Sequence, residues 1–503
     1  MAAAWAAVFI IVIVSAVLPG CDGALLFASS YGDHMVLQRA PQRAVLWGFG
    51  PEGTLVTVSL SPGKQKPSPV TVSGGIWQVT LDPVDAGGPY NVTATSKAGT
   101  AALTDVLFGD IWLCGGQSNM LFKTSQIFNA SEELALSDKY PHVRPFMVAL
   151  NTSETELTDL IQVELPWSVP TASVVGKFSA VCWLFGRYMY EKLQYPVGLV
   201  ESCWGGTPVE AWSSARALQQ CGLGQTEDSP KDNSVLWNAM IHPLLKMTIY
   251  GAIWYQGEEN AYHHQDKYNC TFPAMIDDWR MAFHQGSGGQ TALDFPFGFV
   301  QLDTYKNSSI DDGFPAIRWH QTADVGFVPN PRMKNTFMAV ALDLPDETSP
   351  YGTIHPRDKQ DVAQRLTLGA RAVAYGEKGL LFAGPYPSQV QSSEMFVSIT
   401  YDQAVSVTPS KDIFEICCSG TRAPCGSMSR WVAAPIMQWG QTTVRLSASL
   451  CRPSEEVAAL RYAWKDTPCD FKACPVYSAT GTLPAPPFII SRYSGRGNIW
   501  KSY

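Results

Sequence analysis

Three apolar runs, each closing in glycines or a glycine followed by polar residues, constrain this chain more than any other feature. They are VLFGDIWLCGG (106–116), YPVGLVESCWGG (195–206) and IYGAIWYQGEEN (249–260). A continuous apolar run bounded by turn residues reads as a strand buried on both faces. Helical periodicity separates the runs, in KFSAVCWLFGRYMYEKL (177–193) and in SVLWNAMIHPLLKM (234–247) up to Pro243. FPFGFVQL (295–302) and NTFMAVALDLP (335–345) are further strands, and an amphipathic helix runs from Asp358. Strands alternating with helices predict an α/β fold with a mostly parallel sheet and flanking helices. Such sheets bind ligands beyond the carboxyl ends of their strands, where the polar residues of these runs fall.

The flanking regions read differently. Residues 24–103 hold short β-branched and aromatic runs punctuated by Gly, Pro and Asp, such as AVLWGFG and TLVTVSL. Residues 385–503 return to that pattern with MFVSITYDQAVSVTP and ALRYAWKDTP. The expected organisation is an N-terminal β-domain (24–103), an α/β domain (104–384) and a C-terminal β-rich region (385–503). The chain of 503 residues is long enough for several domains of roughly 150 residues.

Residues 1–23 form an apolar run closed by Pro19, Gly20 and small residues, which predicts a cleaved signal peptide and no membrane span after cleavage; a membrane anchor is the competing reading. Five N-x-Ser/Thr sequons, at Asn91, Asn129, Asn151, Asn269 and Asn307, fit a glycoprotein on the secretory route. Of 12 cysteines, Cys21 lies in the signal, so the mature chain keeps an odd 11 and at least one is free or pairs between chains. Cys417, Cys418, Cys425, Cys451, Cys469 and Cys474 crowd the C-terminal region and predict local disulfides. No histidine lies among them, so zinc ranks below disulfides there, and His263 and His264 lack the spacing of a zinc motif. A formal charge of -8 without basic blocks gives no reason to expect nucleic-acid binding.

Four segments carry candidate chemistry. In Gly115-Gly116-Gln117-Ser118 a serine follows two glycines at a strand end, a turn able to expose a nucleophile beside backbone N–H groups; a helix-capping serine is the competing reading. Gly205 and Gly206 allow either a close approach to a ligand or a tight turn. Gln256 has an amide able to donate to an oxyanion or to cap a loop, and Glu258 is an acid able to partner a histidine or to join a solvated patch. His355, on a loop before a predicted helix, suits a general base if its other ring nitrogen finds an acceptor.

In this order GGQSNM, WGGTPVEAW, WYQGEEN and GTIHPRDK resemble the sialate O-acetylesterase family, within the wider class of SGNH hydrolases. HMVLQRAP, VLWGFG, WNAMIHPL and AIRWHQ extend the resemblance over most of the chain. It implies an SGNH-hydrolase-like sheet and a serine esterase releasing acetate from sialic acids acetylated at the 9-O position, with 4-O-acetyl forms second. It implies Ser118 as nucleophile, His355 as base and then acid, and an oxyanion hole from Ser118, Gly205 or Gly206, and Gln256. The SGNH pattern usually has Asn where Gln256 stands, and an Asp shortly before the histidine, where this chain has Gly352 and Thr353. Asp343 is the expected acid partner and Glu258 the second choice; Asp358 suits a helix cap, and a backbone carbonyl is the remaining way to orient His355.

Arg318 and Arg357 are candidates for a substrate carboxylate, or make structural salt bridges. Trp204 and Trp254 would stack on a sugar ring, or fill the core. No metal or other cofactor is expected, and the expected partners are O-acetylated sialic acids, free or on glycoconjugates. The family resemblance places the protein in the lysosome, outside the cell, or both. An esterase for another acetylated glycan such as xylan, a non-catalytic glycan binder and a structural glycoprotein are the alternatives.

Overall fold

The computed structural model describes residues 23–63, 68–224, 232–420, 425, 429–492 and 500–502. The expected signal segment, apart from Gly23, lies outside the described residues. No helix among the described residues is long and apolar enough to cross a membrane.

The centre is a sheet built on the three apolar runs. Its strands are β1 (Gly99–Gly116), β2 (Val143–Val148), β3 (Val163–Leu165), β4 (Val197–Cys203), β5 (Gly251–Tyr255), β6 (Phe297–Gln301) and β7 (Thr336–Val340). Their order is β3-β2-β4-β1-β5-β6-β7. The six strands other than β3 run parallel, and β3 closes one edge antiparallel. The chain leaves β1 toward β2 on one side and leaves β5 toward β6 on the other. The crevice between β1 and β5 is therefore the switch point where ligands of such sheets bind.

The sheet is mixed beyond that parallel centre. β1 is 18 residues long, and its first half pairs antiparallel with Gly87–Ser96 and parallel with Val36–Gln38. One strand thus runs from the N-terminal β-region into the central sheet. Among the described residues the C-terminal region forms three antiparallel sheets, one containing Pro387–Ser392 and Phe396–Tyr401, one containing Phe414–Ser419 and Glu456–Tyr462, and a two-stranded one pairing Val405–Val407 with Val476–Ser478.

Both faces of the central sheet are covered, which explains why its strands read as continuous apolar runs. Along β5, Ala252 and Trp254 enter the core on one side, while Ile253 and Tyr255 enter the core on the other. The first core is closed by α3 (Tyr268–Gly286), the second by α2 (Ala180–Leu193) and α5 (Lys359–Gly369). Two shorter helices matter to the site: α1 (Ser118–Leu121) and α4 (Gly313–His320). α2 starts at Ser179, whose hydroxyl accepts from the Cys182 N–H, and α5 starts at Asp358, whose carboxylate accepts from the Asp361 N–H. The cap role expected of Asp358 is the one it fills. The segment 234–247 is a π-turn over Trp237–Ile241 followed by a 3-10 turn that contains Pro243.

The expected local disulfides form as Cys417–Cys425, Cys418–Cys451 and Cys469–Cys474. Cys114–Cys182 ties β1 to α2, and Cys221–Cys270 ties a loop to α3. The odd thiol is Cys203, free and buried at the end of β4.

Candidate active site

β1 ends at Gly116, where an added Cβ would collide with the carbonyl of Tyr255, so only glycine lets β1 and β5 close together here. The Gln117 N–H donates to that same Tyr255 carbonyl at 3.0 Å, and the Gln117 side-chain oxygen accepts from the N–H groups of Gly257 and Glu259 at 3.4 and 3.3 Å. Helix α1 then begins at Ser118. Its hydroxyl has no hydrogen-bond partner among the described residues, and Ser118 is partly open to solvent. This serine is not a cap: α1 has no side-chain cap hydrogen bond.

Gly205 lies directly against the serine. A Cβ placed on it would stand 3.3 Å from the Ser118 Cβ, so the close approach needs a small residue. The N–H groups of Gly205 and Gly206 make no hydrogen bond within the described protein. As the first residue of a helix, Ser118 has no intrahelical acceptor for its own N–H. Backbone donors without a partner among the described residues thus lie at the serine and on the loop packed against it, groups able to hold an oxyanion.

Gln256 is placed differently from expectation. Its side chain is fully buried, and its amide hydrogens go to the Thr207 carbonyl at 3.2 Å and the Asn260 side-chain oxygen at 2.7 Å. Its own oxygen accepts from the Tyr268 hydroxyl at 3.0 Å. Buried donors must be satisfied, and here both are committed to bracing the Gly205–Thr207 loop instead of facing the serine.

His355 reaches the site through two contacts with α1. The Asn119 amide donates to the Ile354 carbonyl at 2.9 Å, and the imidazole lies nearly parallel to the Phe122 ring with centroids 6.3 Å apart. The histidine Nδ1 is 2.8 Å from the Tyr351 carbonyl. A carbonyl only accepts, so Nδ1 carries the proton and Nε2 is left as the base. Burial lowers the His355 pKa; the Tyr351 contact raises it, and the Lys359 charge lowers it again.

The expected Asp343–His355 pair does not form. Asp343 receives both nitrogens of the Arg365 guanidinium at 2.6 and 2.9 Å and the Tyr477 hydroxyl at 2.9 Å, all buried. Glu258 does not contact His355 either. Its Oε1 accepts from the Asn119 amide at 2.7 Å, while its Oε2 is buried without a hydrogen bond.

Asn119 thus emerges as a hub that the sequence reading missed. Besides Glu258 and Ile354 it binds the Lys359 ammonium, whose Nζ donates to the Asn119 oxygen at 2.8 Å. Lys359 is fully buried, and burial pushes its pKa down to about 8 against the opposing pull of Asp303 and Glu258. Asp303, pushed up to about 8 by burial, completes the charged cluster. A sequence signal for Lys359 exists. A lysine in the first turn of a helix opposes the helix dipole, so its place there calls for another partner.

The other candidates make no hydrogen bond to Ser118 or His355 among the described residues. Arg318 is fully buried and spends its guanidinium on the carbonyls of Leu302, Asp303, Lys465 and Asp466, bolting α4 to the C-terminal region. Arg357 is held by Asp346 at 2.7 and 2.9 Å and lies over the Phe128 ring. Trp254 is a core residue packed edge-on against Trp212 and Trp279. Trp204 is partly buried, with its N–H on the Gly116 carbonyl. Of the sequons, Asn91, Asn129 and Asn307 are exposed, and Asn151 and Asn269 half-buried.

A parallel sheet with Ser118 at its switch point, Gly205 packed against that serine and the His355 loop tied to Asn119 matches the architecture of SGNH hydrolases. Residues 108–349 match the family model described as carbohydrate esterase, sialic acid-specific acetylesterase. Residues 387–492 match the model of the sialate O-acetylesterase C-terminal domain. The chain is 50% identical to the sialate O-acetylesterase of Mus musculus, covering 94% of this chain and 95% of that protein. It is 50% identical to the Homo sapiens sialate O-acetylesterase, covering 92% of each. Among solved structures, a carbohydrate acetylesterase from Xanthomonas citri superposes with a TM-score of 0.78 at 28% identity, over 93% of this chain and 100% of that one. The chain belongs to the sialate O-acetylesterase family and is an ester hydrolase.

Proposed function

We propose that this protein hydrolyses O-acetyl esters of sialic acids, 9-O-acetyl forms first and 4-O-acetyl forms second, through an acyl-enzyme on Ser118. The observation that carries the mechanism is the combination of a Ser118 hydroxyl without a protein partner, Gly205 packed against it and a His355 whose Nδ1 is fixed by the Tyr351 carbonyl. His355 Nε2 takes the serine proton as Oγ attacks the acetyl carbonyl. The N–H groups of Ser118, Gly205 and Gly206 hold the oxyanion. The protonated imidazole then gives its proton to the departing sugar oxygen, and water activated by the same nitrogen releases acetate. The backbone carbonyl of Tyr351 does the orienting that a carboxylate does in a full triad. Substrate class rests on the names of the relatives.

Residence in the lysosome, outside the cell, or both is part of the same proposal. The apolar leader, the exposed sequons and five disulfides among the described residues support an oxidising route.

The test is acetate release from 9-O-acetyl-N-acetylneuraminic acid, with acetylated xylan and a Ser118→Ala variant beside it. The expected result is release from the sialic acid, lowered roughly 10,000-fold or more in the variant. Preference for acetylated xylan would overturn the substrate assignment, and equal release by the variant would overturn the nucleophile.

A further inference from the structure

Beside the esterase site, the loop from Gly205 turns down through a 3-10 turn, Val209–Trp212, that carries Glu210. The Glu210 side chain is fully buried. Its Oε2 accepts from the Asn260 amide at 2.9 Å, but its Oε1 accepts no hydrogen bond among the described residues. A buried carboxylate oxygen without a partner is costly, so it marks a place where a charge or donor is missing.

What faces that oxygen is a pair of imidazoles. His263 and His264 follow the strand β5 loop, and their ring centroids lie 4.1 Å apart. His264 is held in a left-handed conformation at φ 47°, and its Nδ1 stands 3.5 Å from Glu210 Oε1, too far for a good hydrogen bond. One donor atom from each of Glu210, His263 and His264 lies within 4.8 Å of the others. Asn260 brackets the group: its amide reaches both Glu210 Oε2 and the His263 carbonyl, and its oxygen accepts from the Val209 N–H at 2.8 Å. Orientation of ligands by such an outer group is the rule in metal sites.

We propose that Glu210, His263 and His264 bind a divalent cation of the zinc class. Two imidazole nitrogens and one carboxylate oxygen are a borderline donor set that suits zinc better than calcium or magnesium, which take oxygen ligands. Tetrahedral ligands around zinc sit roughly 3.4 Å apart. Closing from the present spacing takes a rotation of the His264 side chain, which is 44% exposed. Three protein ligands leave a fourth position for water. The ion would staple the loop of Gly205 and Gly206 to the loop of Gln256 and Glu258. It stands outside the acyl transfer itself, which Ser118 and His355 perform.

The test uses the full glycosylated chain without a polyhistidine tag, stripped with chelator, exposed to zinc sulfate and dialysed to remove excess. Metal content and thermal unfolding are then measured. One retained zinc per chain and a zinc-dependent rise in Tm are expected for the wild type and equally for Ser118→Ala, which separates this site from the esterase reading. His264→Ala alters an exposed side chain and is expected to fold, to retain no zinc and to show no zinc-dependent rise. Glu210→Gln is expected to behave likewise. Absence of stoichiometric zinc in the wild type, or equal retention by both ligand variants, would overturn the proposal.

Discussion

Asp343 and Glu258 occupy equivalent places: each is a buried carboxylate three residues past the carboxyl end of a parallel strand, β7 and β5. Their surroundings differ in one respect. Both oxygens of Asp343 are satisfied, by a bidentate Arg365 and by Tyr477 from the C-terminal region. Glu258 has one oxygen on Asn119 and the other orphaned, and burial raises its pKa. The first cluster joins two parts of the molecule. The second lies under the nucleophile turn and joins Ser118's neighbour to the loop of His355. Full pairing marks a carboxylate that holds the fold together. Partial pairing marks one that shapes the site.

The largest expected effect comes from breaking the satisfied cluster. Asp343→Ala leaves Arg365 buried without its counter-charge, and chemical denaturation should show a loss of about 3–5 kcal/mol. Activity per folded molecule should stay within about threefold, because the residue touches neither Ser118 nor His355. Glu258→Gln keeps an acceptor for Asn119 and should cost only about 1 kcal/mol of stability. Equal destabilisation by the two variants would dissolve the distinction.

A third buried carboxylate sharpens the comparison. Glu201, in β4, has no basic side chain in direct contact, only the Ser179 N–H and the Cys203 thiol, and burial pushes its pKa up from 4.5 to about 7. A raised folded pKa means that the unfolded chain ionises first. The stabilisation is complete below pH 4.5 and is lost as pH rises through 7, up to about 3 kcal/mol. Unfolding free energy should therefore fall between pH 4.5 and pH 7.5, and Glu201→Gln should flatten that slope. An unchanged slope would mean that Glu201 is not the group responsible.

Much of the site was readable from the sequence because glycine carries its own mechanism. Gly116 and Gly205 stand where backbones approach too closely for a side chain, a strand end flagged Ser118, and a loop before a predicted helix flagged His355. The doubly covered sheet was readable from continuous apolar runs, but the same runs hid which face each residue takes. Trp254 looked available to a sugar because alternation carries no information when both faces are buried. Pairings over long separations were invisible: Tyr477 meets Asp343 across 134 positions, and Arg318 meets Asp466 across 148. Gln256 was placed in the right loop with the wrong duty, since nothing local reveals that Thr207 and Asn260 consume its donors.

The smallest expected effect tests the partly paired cluster through the histidine. The Lys359 charge lowers the pKa of His355, adding to the effect of burial, and in the proposed mechanism neutral His355 accepts the serine proton. The acid limb of kcat/KM should therefore have its midpoint below 6.5. Lys359→Met removes the charge and keeps an unbranched chain of similar length, so the midpoint should move upward. It also frees the side-chain oxygen of Asn119, whose amide nitrogen holds the Ile354 carbonyl, so kcat/KM at the optimum should fall roughly 10- to 100-fold through misplacement of the base. The two readouts are independent. A lower rate with an unmoved acid limb would mean that Lys359 acts by packing alone. A moved limb with an unchanged optimum would mean that its charge reaches His355 while Asn119 holds the loop unaided.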